Sequence, residues 1–511
     1  MNIFFSTKVI IFGQVYSLLN DSLPTTIMHL KQIRQLGWVI TISGAFALYF
    51  PRFTTQGLTY DGTTYAAIAR NMAVGVGSFW APFYTPAKSF WTGQEVFDTF
   101  YAHPPMMYGL QSLLFRWFGD KWFIENLYGL LVLLCLAALV VKIWQVLGGQ
   151  KPFDWLPVGL LLTFPNFRWA ISHNAMEPTV AVFGLLGVFL ALKTLHQPKN
   201  FGWLVIAGLA IVGAFLTKGP VGLYPLAMPL CYYLSLRQGS LFQAIAFASV
   251  LLFVVIFCFG LLWAYPPAHD FLSHYFNWQI ANSLLNRRGE SNTDLMLLGR
   301  FYIVAGVFFN LLYAIAGILL VGIVLKIKKI AAKLKRTPAM NFVGLMSLAG
   351  SLPIMISPKQ EFYYLVSALP FFAIWASFIG VQLVETLSKT FVISDSTFRR
   401  LVIISVLIGI SIGIIFRTND ITGKTSVQTQ YIREFEGKPL PAGAWVAVPT
   451  DTMVYRPYLN LYLQRYHRIT LTTDTVRTPW LLLYRADFEK DTTIFVHKKM
   501  LETPTLILSK K

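Results

Sequence analysis

The sequence predicts an α-helical polytopic membrane protein of about eleven spans, ending in a small α+β unit. Three observations predict it. Hydrophobic residues make up 55% of the 511 and charged residues only 13%, against about 25% charged in soluble domains. Apolar runs long enough for a bilayer crossing, roughly 17–25 residues, recur along most of the chain. The last stretch changes to short apolar runs between polar turns, which is a strand pattern.

Residues 1–34 form a basic segment expected on the cytoplasmic side. Residues 9–19 are apolar after Lys8, but no A-x-A site follows, so no cleaved signal peptide is predicted. Met28 stands as an alternative start. The predicted spans are 35–51, 123–147, 154–171, 178–195, 201–217, 220–236, 241–265, 298–325, 340–357, 362–386 and 400–416. Segment 104–118 is the ambiguous one. It is short, opens on two prolines and runs into Arg116 and Asp120.

Charge resolves it. The run KIKKIAAKLKR at 326–336 carries six cations and no acid, so it belongs on the cytoplasmic side, as do Lys31 and Arg34. An even number of spans must then separate the two. Without 104–118 there are eight from 35 to 325, and both ends agree. Segment 104–118 is therefore expected to lie along the outer interface. Residues 52–121, 172–177, Lys218, 266–297, 357–361 and the tail then face out.

The net charge of +19 comes from 42 Lys and Arg against 23 Asp and Glu. On a soluble module that would suggest nucleic acid. Here no basic patch lies on a soluble module, and cationic loops orient the chain and meet lipid headgroups. Cys135, Cys231 and Cys258 sit in apolar runs without disulfide or metal spacing and read as small buried hydrophobes. The tail divides into AWVAVP, LYLQRY, ITLTT, WLLLYR, TIFVH and TLILS, read as β-like runs. The expected organisation is a segment 1–34, a membrane domain 35–416 with the outer loop 52–121, and an outer α+β domain 417–511.

The outer loops hold the unusual residues: Asp61, Glu95, Asp98, His103, Glu177, Lys218, His269, His274, Arg287, Arg288, Lys359 and Glu361. Ionisable groups at membrane depth are costly and mark function. Asp61 opens YDGTTYAAIARN, where an N-cap or a general base both fit, and Tyr65 follows one turn on. Glu177 precedes a proline at a span start, so it favours the helix dipole or serves as a second acid. Lys218 and Lys359 are cations on the face that disfavours them. A phosphate ligand would explain each, and membrane anchoring is the alternative. Arg287 and Arg288 close a long loop and read as solvated cations or phosphate ligands. His103-Pro104-Pro105 either simply starts the interfacial helix or brings a His that helps hold a phosphate or a base. No metal spacing, Walker loop or GxGxxG occurs, so a nucleotide-driven reaction has no support in the sequence.

In order, YDGTTYAAIARNM, HPPMMYGLQSLLFRWFG, AMEP, FLTKGPVGLYPL and SPKQEFYYLVSALPFF resemble the motifs of GT-C class membrane glycosyltransferases. The resemblance is to the protein O-mannosyltransferase and lipid A aminoarabinose transferase group, a family 39-like branch, and covers about residues 36–386. It implies a GT-C fold and transfer of a sugar, with inversion, from a polyprenyl-phosphate donor. It makes Asp61 and Glu177 the acids, Lys218, Arg287, Arg288 and Lys359 the donor-phosphate ligands, and Tyr65, His103 and Tyr363 substrate contacts. Two departures stand out. The family's Asp-Glu pair is Asp61-Gly62 here, and LLNRRGE replaces its His-Arg-Phe pattern.

The expected function is therefore an inverting glycosyltransferase in a bacterial inner (cell) membrane, with its C-terminal domain outside. The expected partners are a polyprenyl-phosphate sugar, a lipid, glycan or protein acceptor, and membrane lipids, with no nucleic acid. No cofactor is expected, and a divalent metal is left open. A lipid-linked glycan polymerase or ligase is one rival. A transporter or flippase is another, but it would carry repeat symmetry and mid-span charges.

Overall fold

The computed structural model describes residues 24–84, 99–196, 201–236, 240–285, 301–327, 330, 334–356, 360–388, 395–419, 434–435, 437–438, 443–449, 457–474, 476, 478–485 and 498–510. Among them, nine helical segments are long and apolar enough to cross a bilayer. In chain order the helices begin with α1 (Pro24–Phe53), α2 (Tyr60–Ala73), α3 (Met106–Phe118) and α4 (Ile124–Val146). Next come α5 (Leu156–Thr163), α6 (Pro165–Ser172), α7 (Glu177–His196), α8 (Gly202–Lys218) and α9 (Met228–Leu236). Then follow α10 (Leu241–Ala264), α11 (Pro266–His274), α12 (Ala281–Leu284), α13 (Tyr302–Ile327), α14 (Pro338–Ser351), α15 (Leu369–Ser388) and α16 (Asp395–Thr418).

Nine and eleven reconcile at two places. The predicted span 154–171 is broken into α5 and α6 by Pro165, whose ring and missing N–H end a helix. Segment 202–236 is two crossings, not one. It turns at Gly219, at φ 73°, and Gly222 packs back on the Ala214 backbone of α8. The return arm is tight 3-10 helix over Gly219–Ala227 and then α9.

Contacts at the face expected to be cytoplasmic fit the predicted alternation. Arg34 Nη2 pairs with Asp154 Oδ2 at 2.6 Å, and Trp38 donates to the same carboxylate. Gln150 donates to Glu385, and the Lys335 N–H to Gln382. All seven lie at ends that an even number of spans separates. Had α3 crossed the bilayer, Arg34 and Asp154 would lie on opposite faces. At 13 residues α3 is about 20 Å long, too short for a core of about 30 Å. It buries Met107, Tyr108, Gln111 and Phe115 on one side and leaves Trp117 71% exposed on the other. Lipid-facing helices show the complementary pattern: α10 exposes Phe253, Ile256 and Phe257, where acyl chains replace protein neighbours.

The C-terminal unit is a five-stranded sheet in the order β2-β1-β3-β5-β4. Its strands are β1 (Trp445–Ala447), β2 (Thr470–Thr472), β3 (Trp480–Tyr484), β4 (Lys498–Glu502) and β5 (Leu506–Lys510). β1 runs parallel to β2 and β3, while β3–β5 and β5–β4 are antiparallel. LYLQRY, expected as a strand, is instead helix α17 (Pro457–His467). Its buried residues Leu459, Tyr462 and Leu463, with Tyr466 packed beside them, recur at i, i+3, i+4 and i+7, which is a helical stripe. TIFVH lies outside the described residues. Cys231 is buried as expected, whereas Cys135 is exposed and Cys258 intermediate.

α17 seats the sheet on the membrane unit. Arg465 is buried and donates to both oxygens of Glu125 on α4, to Asp120 and to the Lys121 carbonyl. Arg468 also pairs with Asp120. Tyr462 Oη donates to the Leu58 carbonyl at 2.6 Å, and Arg70 Nη2 to the Gln464 carbonyl. The C-terminal unit thus shares a face with the loops around α2 and α3.

Candidate active site

Four predicted site residues converge on that face. Asp61 is the second residue of α2, and Glu177 opens α7. Lys218 ends α8, and Tyr363 stands in the short 3-10 turn Phe362–Ser367 before α15. Tyr363 Oη donates to Asp61 Oδ2 at 3.3 Å. The Lys218 ammonium forms an ion pair with Glu177 Oε1. The same Nζ lies 5.3 Å from the Tyr363 ring centroid and 4.3 Å from that of Tyr364, within cation–π reach of both. One phenol therefore joins a half-buried carboxylate to a buried ion pair.

The N-cap expectation for Asp61 needs correction. Thr59 is the cap, in extended conformation, and Asp61 lies inside the first turn. Its charge still meets the positive end of the helix. Glu177, also in a first turn, combines that position with Lys218. The Lys218-Gly219-Pro220 turn is where sequence placed it, and the reversal aims the lysine at the pair.

Tyr65 lies one turn beyond Asp61 and is buried. Its ring meets His103 edge-on at 5.9 Å and Tyr108 at 5.7 Å. Burial, with the Asp61 charge second, pushes the phenols of Tyr65 and Tyr108 well above their ordinary range. Both stay neutral near pH 7. Arg287, Arg288 and Lys359 lie outside the described residues, as do Glu95 and Asp98. No group of three or more His, Cys, Asp or Glu among the described residues is placed to hold a metal ion.

Several supporting residues were not anticipated. Trp169 of α6 stacks on Tyr363, centroids 5.1 Å apart and planes within 20°. Gln111 of α3 donates to Asn174 Oδ1 at 2.8 Å, and Asn174 Nδ2 donates to the Gly62 carbonyl at 3.0 Å. Asn174 takes a left-handed φ of 56°, which Asn tolerates better than most residues. That signal was available in SHNAMEP. The Trp169 stack had none, since an apolar helix offers many aromatics of equal standing.

No family model and no curated protein matches this chain. Among solved structures the fold is similar to ArnT from Cupriavidus metallidurans bound to undecaprenyl phosphate. That likeness has a TM-score of 0.62 at 16% identity, covering 93% of this chain and 98% of that one. The apo state of ArnT gives a TM-score of 0.59 at 16% identity, over 93% and 97%. The oligosaccharyltransferase of Archaeoglobus fulgidus, in complex with Zn and sulfate, gives 0.46 at 13% identity, over 86% and 62%. By its fold, this chain is an α-helical polytopic membrane protein built like ArnT.

Proposed function

We propose that the protein is a glycosyltransferase that moves a sugar from a polyprenyl-phosphate donor to a lipid, glycan or protein acceptor on the outer membrane face. The observation that carries this reading is Tyr363, bonded to Asp61 and lying beside the Lys218–Glu177 pair. A carboxylate suited to a proton and a cation suited to a phosphate flank one phenol. The likeness in fold to ArnT bound to undecaprenyl phosphate supports the donor class.

In the proposed reaction an acceptor O–H attacks the anomeric carbon from the face opposite the phosphate, which inverts the configuration. The bond from that carbon to the phosphate oxygen breaks, and its electron pair leaves on the lipid phosphate. Asp61 takes the acceptor proton. Lys218 meets the departing anion, with Arg287, Arg288 and Lys359 proposed as further ligands. An ammonium carries three N–H donors, so the bond to Glu177 leaves donors for phosphate. Glu177 holds Lys218 and stands as the second acid near developing positive charge. Tyr65 and His103 are proposed substrate contacts.

The proposed setting is a bacterial cell (inner) membrane. Residues 1–34 lie inside, 35–416 form the membrane domain, and 417–511 form an outer domain. The donor bond itself supplies the driving force, so no nucleotide is called for. Chelation during the assay tests metal dependence.

The test compares purified wild type with Asp61→Asn for release of polyprenyl phosphate from labelled lipid-linked sugars. Losing the base should slow turnover about 100-fold or more. Equal turnover would sink Asp61 as the central acid.

A further inference from the structure

Tyr363 can serve the site only if its turn is held, and two buried asparagines hold it. α6 begins at Pro165, where the break frees the first N–H groups of a new helix. Asn166 follows, 3% exposed. Its backbone N–H donates to Asn310 Oδ1 at 3.1 Å, and its side-chain Nδ2 donates to the Phe362 carbonyl at 2.7 Å. Asn310 is fully buried in the otherwise apolar α13, and its own Nδ2 donates to the Gly306 carbonyl at 2.7 Å. Two amides thus tie α6, α13 and the Phe362–Ser367 turn together one residue ahead of Tyr363.

The arrangement does more than satisfy a broken helix. Capping the freed N–H needs only Asn310. The Asn166 amide goes elsewhere, to the carbonyl of the peptide bond that leads into Tyr363. Trp169, on the next turn of α6, packs on both Phe362 and Tyr363. The face of α6 that carries Asn166 and Trp169 is thereby a seat for this one turn. A polar side chain inside a membrane helix is costly, and here its cost is offset where a directional bond sets a side-chain aim.

We infer that Asn166 and Asn310 are positioning residues, which fix the Phe362 carbonyl and so aim Tyr363 at Asp61. The inference rests on the glycosyltransferase reading above. It predicts that Asn166 acts on turnover through Tyr363 and not in parallel with it.

The test is a kinetic double-mutant cycle on the full chain, with release of polyprenyl phosphate from labelled lipid-linked sugars as the probe reaction. Tyr363→Phe and Asn166→Ala are each expected to lower kcat about tenfold, with KM for the donor changed less, since a misaimed hydroxyl is worth about one hydrogen bond. The double variant should be no slower than the slower single one, because both remove the same interaction. Asn310→Leu keeps the Asn166 amide but removes its anchor, and should show the same coupling. Effects that multiply, or Asn166→Ala at wild-type rate, overturn the inference. If both asparagine variants fail to fold, the pair is structural and the inference falls. A wild type that releases no polyprenyl phosphate from any such donor overturns the function reading itself, a different result from active wild type with multiplying variants.

Discussion

Gly62 lies so close to the backbone of His173 that a Cβ added there would run into the His173 carbonyl oxygen. The close approach is secured by Asn174, whose amide donates to the Gly62 carbonyl. The residue after Asp61 is thus a contact point between α2 and the entry to α7. An acid cannot stand there in this packing. Gly62→Ala is expected to cost about 3 kcal/mol or more, because the obstructing atom is backbone and cannot rotate away. Thermal unfolding in detergent checks it, and an unchanged midpoint would refute the contact.

The Glu177–Lys218 pair has side chains only 2% and 11% exposed. Removing one partner leaves the other charge buried and should cost about 3–5 kcal/mol. Glu177→Gln and Lys218→Met are each expected to unfold at lower temperature. The double variant should regain much of the loss while staying inactive. If each single variant is as stable as wild type, the pair is not what holds α7 to α8.

Tyr363→Phe removes one hydroxyl and keeps the ring on Trp169. The fold should survive, and kcat should fall about tenfold, the worth of one hydrogen bond to a charged group. A variant equal to wild type would show that Asp61 works without it.

The raised phenols of Tyr65 and Tyr108 set a pH limit. A folded value above the unfolded one, about 10, means that the unfolded chain loses its protons first. The stabilising contribution is whole below pH of about 10 and is lost as pH climbs toward the folded value. Ultraviolet difference titration should find these two tyrosines un-ionised until the protein unfolds. Substituting both with Phe should flatten the alkaline fall in stability, and an unaltered fall would assign it to other groups.

Arg465 carries four donor contacts to Glu125, Asp120 and Lys121. Lysine cannot reproduce that fork. Arg465→Lys is expected to expose α17 to limited proteolysis, with Arg465→Met the stronger case. Proteolysis rates equal to wild type would mean that the apolar contacts of α17 suffice.

Much of this molecule was legible because a bilayer imposes one dominant rule. Apolar length marks a crossing, and basic loops mark one side. Hence the eleven segments and the interfacial α3 could be read, and Asp61, Glu177 and Lys218 stood out as charges at span ends. Partner choice could not be read. Nothing in the sequence says that Lys218 takes Glu177, or that Trp169 rather than another aromatic lies on Tyr363. Those depend on how helices pack, and an apolar run gives no period that singles out one face. LYLQRY was misread as a strand because its apolar stripe is short and its ends are polar, and the helical period shows only once burial is known.

The bonds of Tyr462 and Arg465 to Leu58, Asp120 and Glu125 have a consequence for biosynthesis. Those first partners leave the ribosome early, while α17 is made after all the described spans. Until it arrives, α2 and its entry lack their bonds to Gln464 and Tyr462, and α2 is held through Asn174 and α3. On the proposed function, a chain interrupted before Pro457 would insert the described spans yet remain silent. Completion of synthesis, more than insertion, is then the event that licenses the proposed activity.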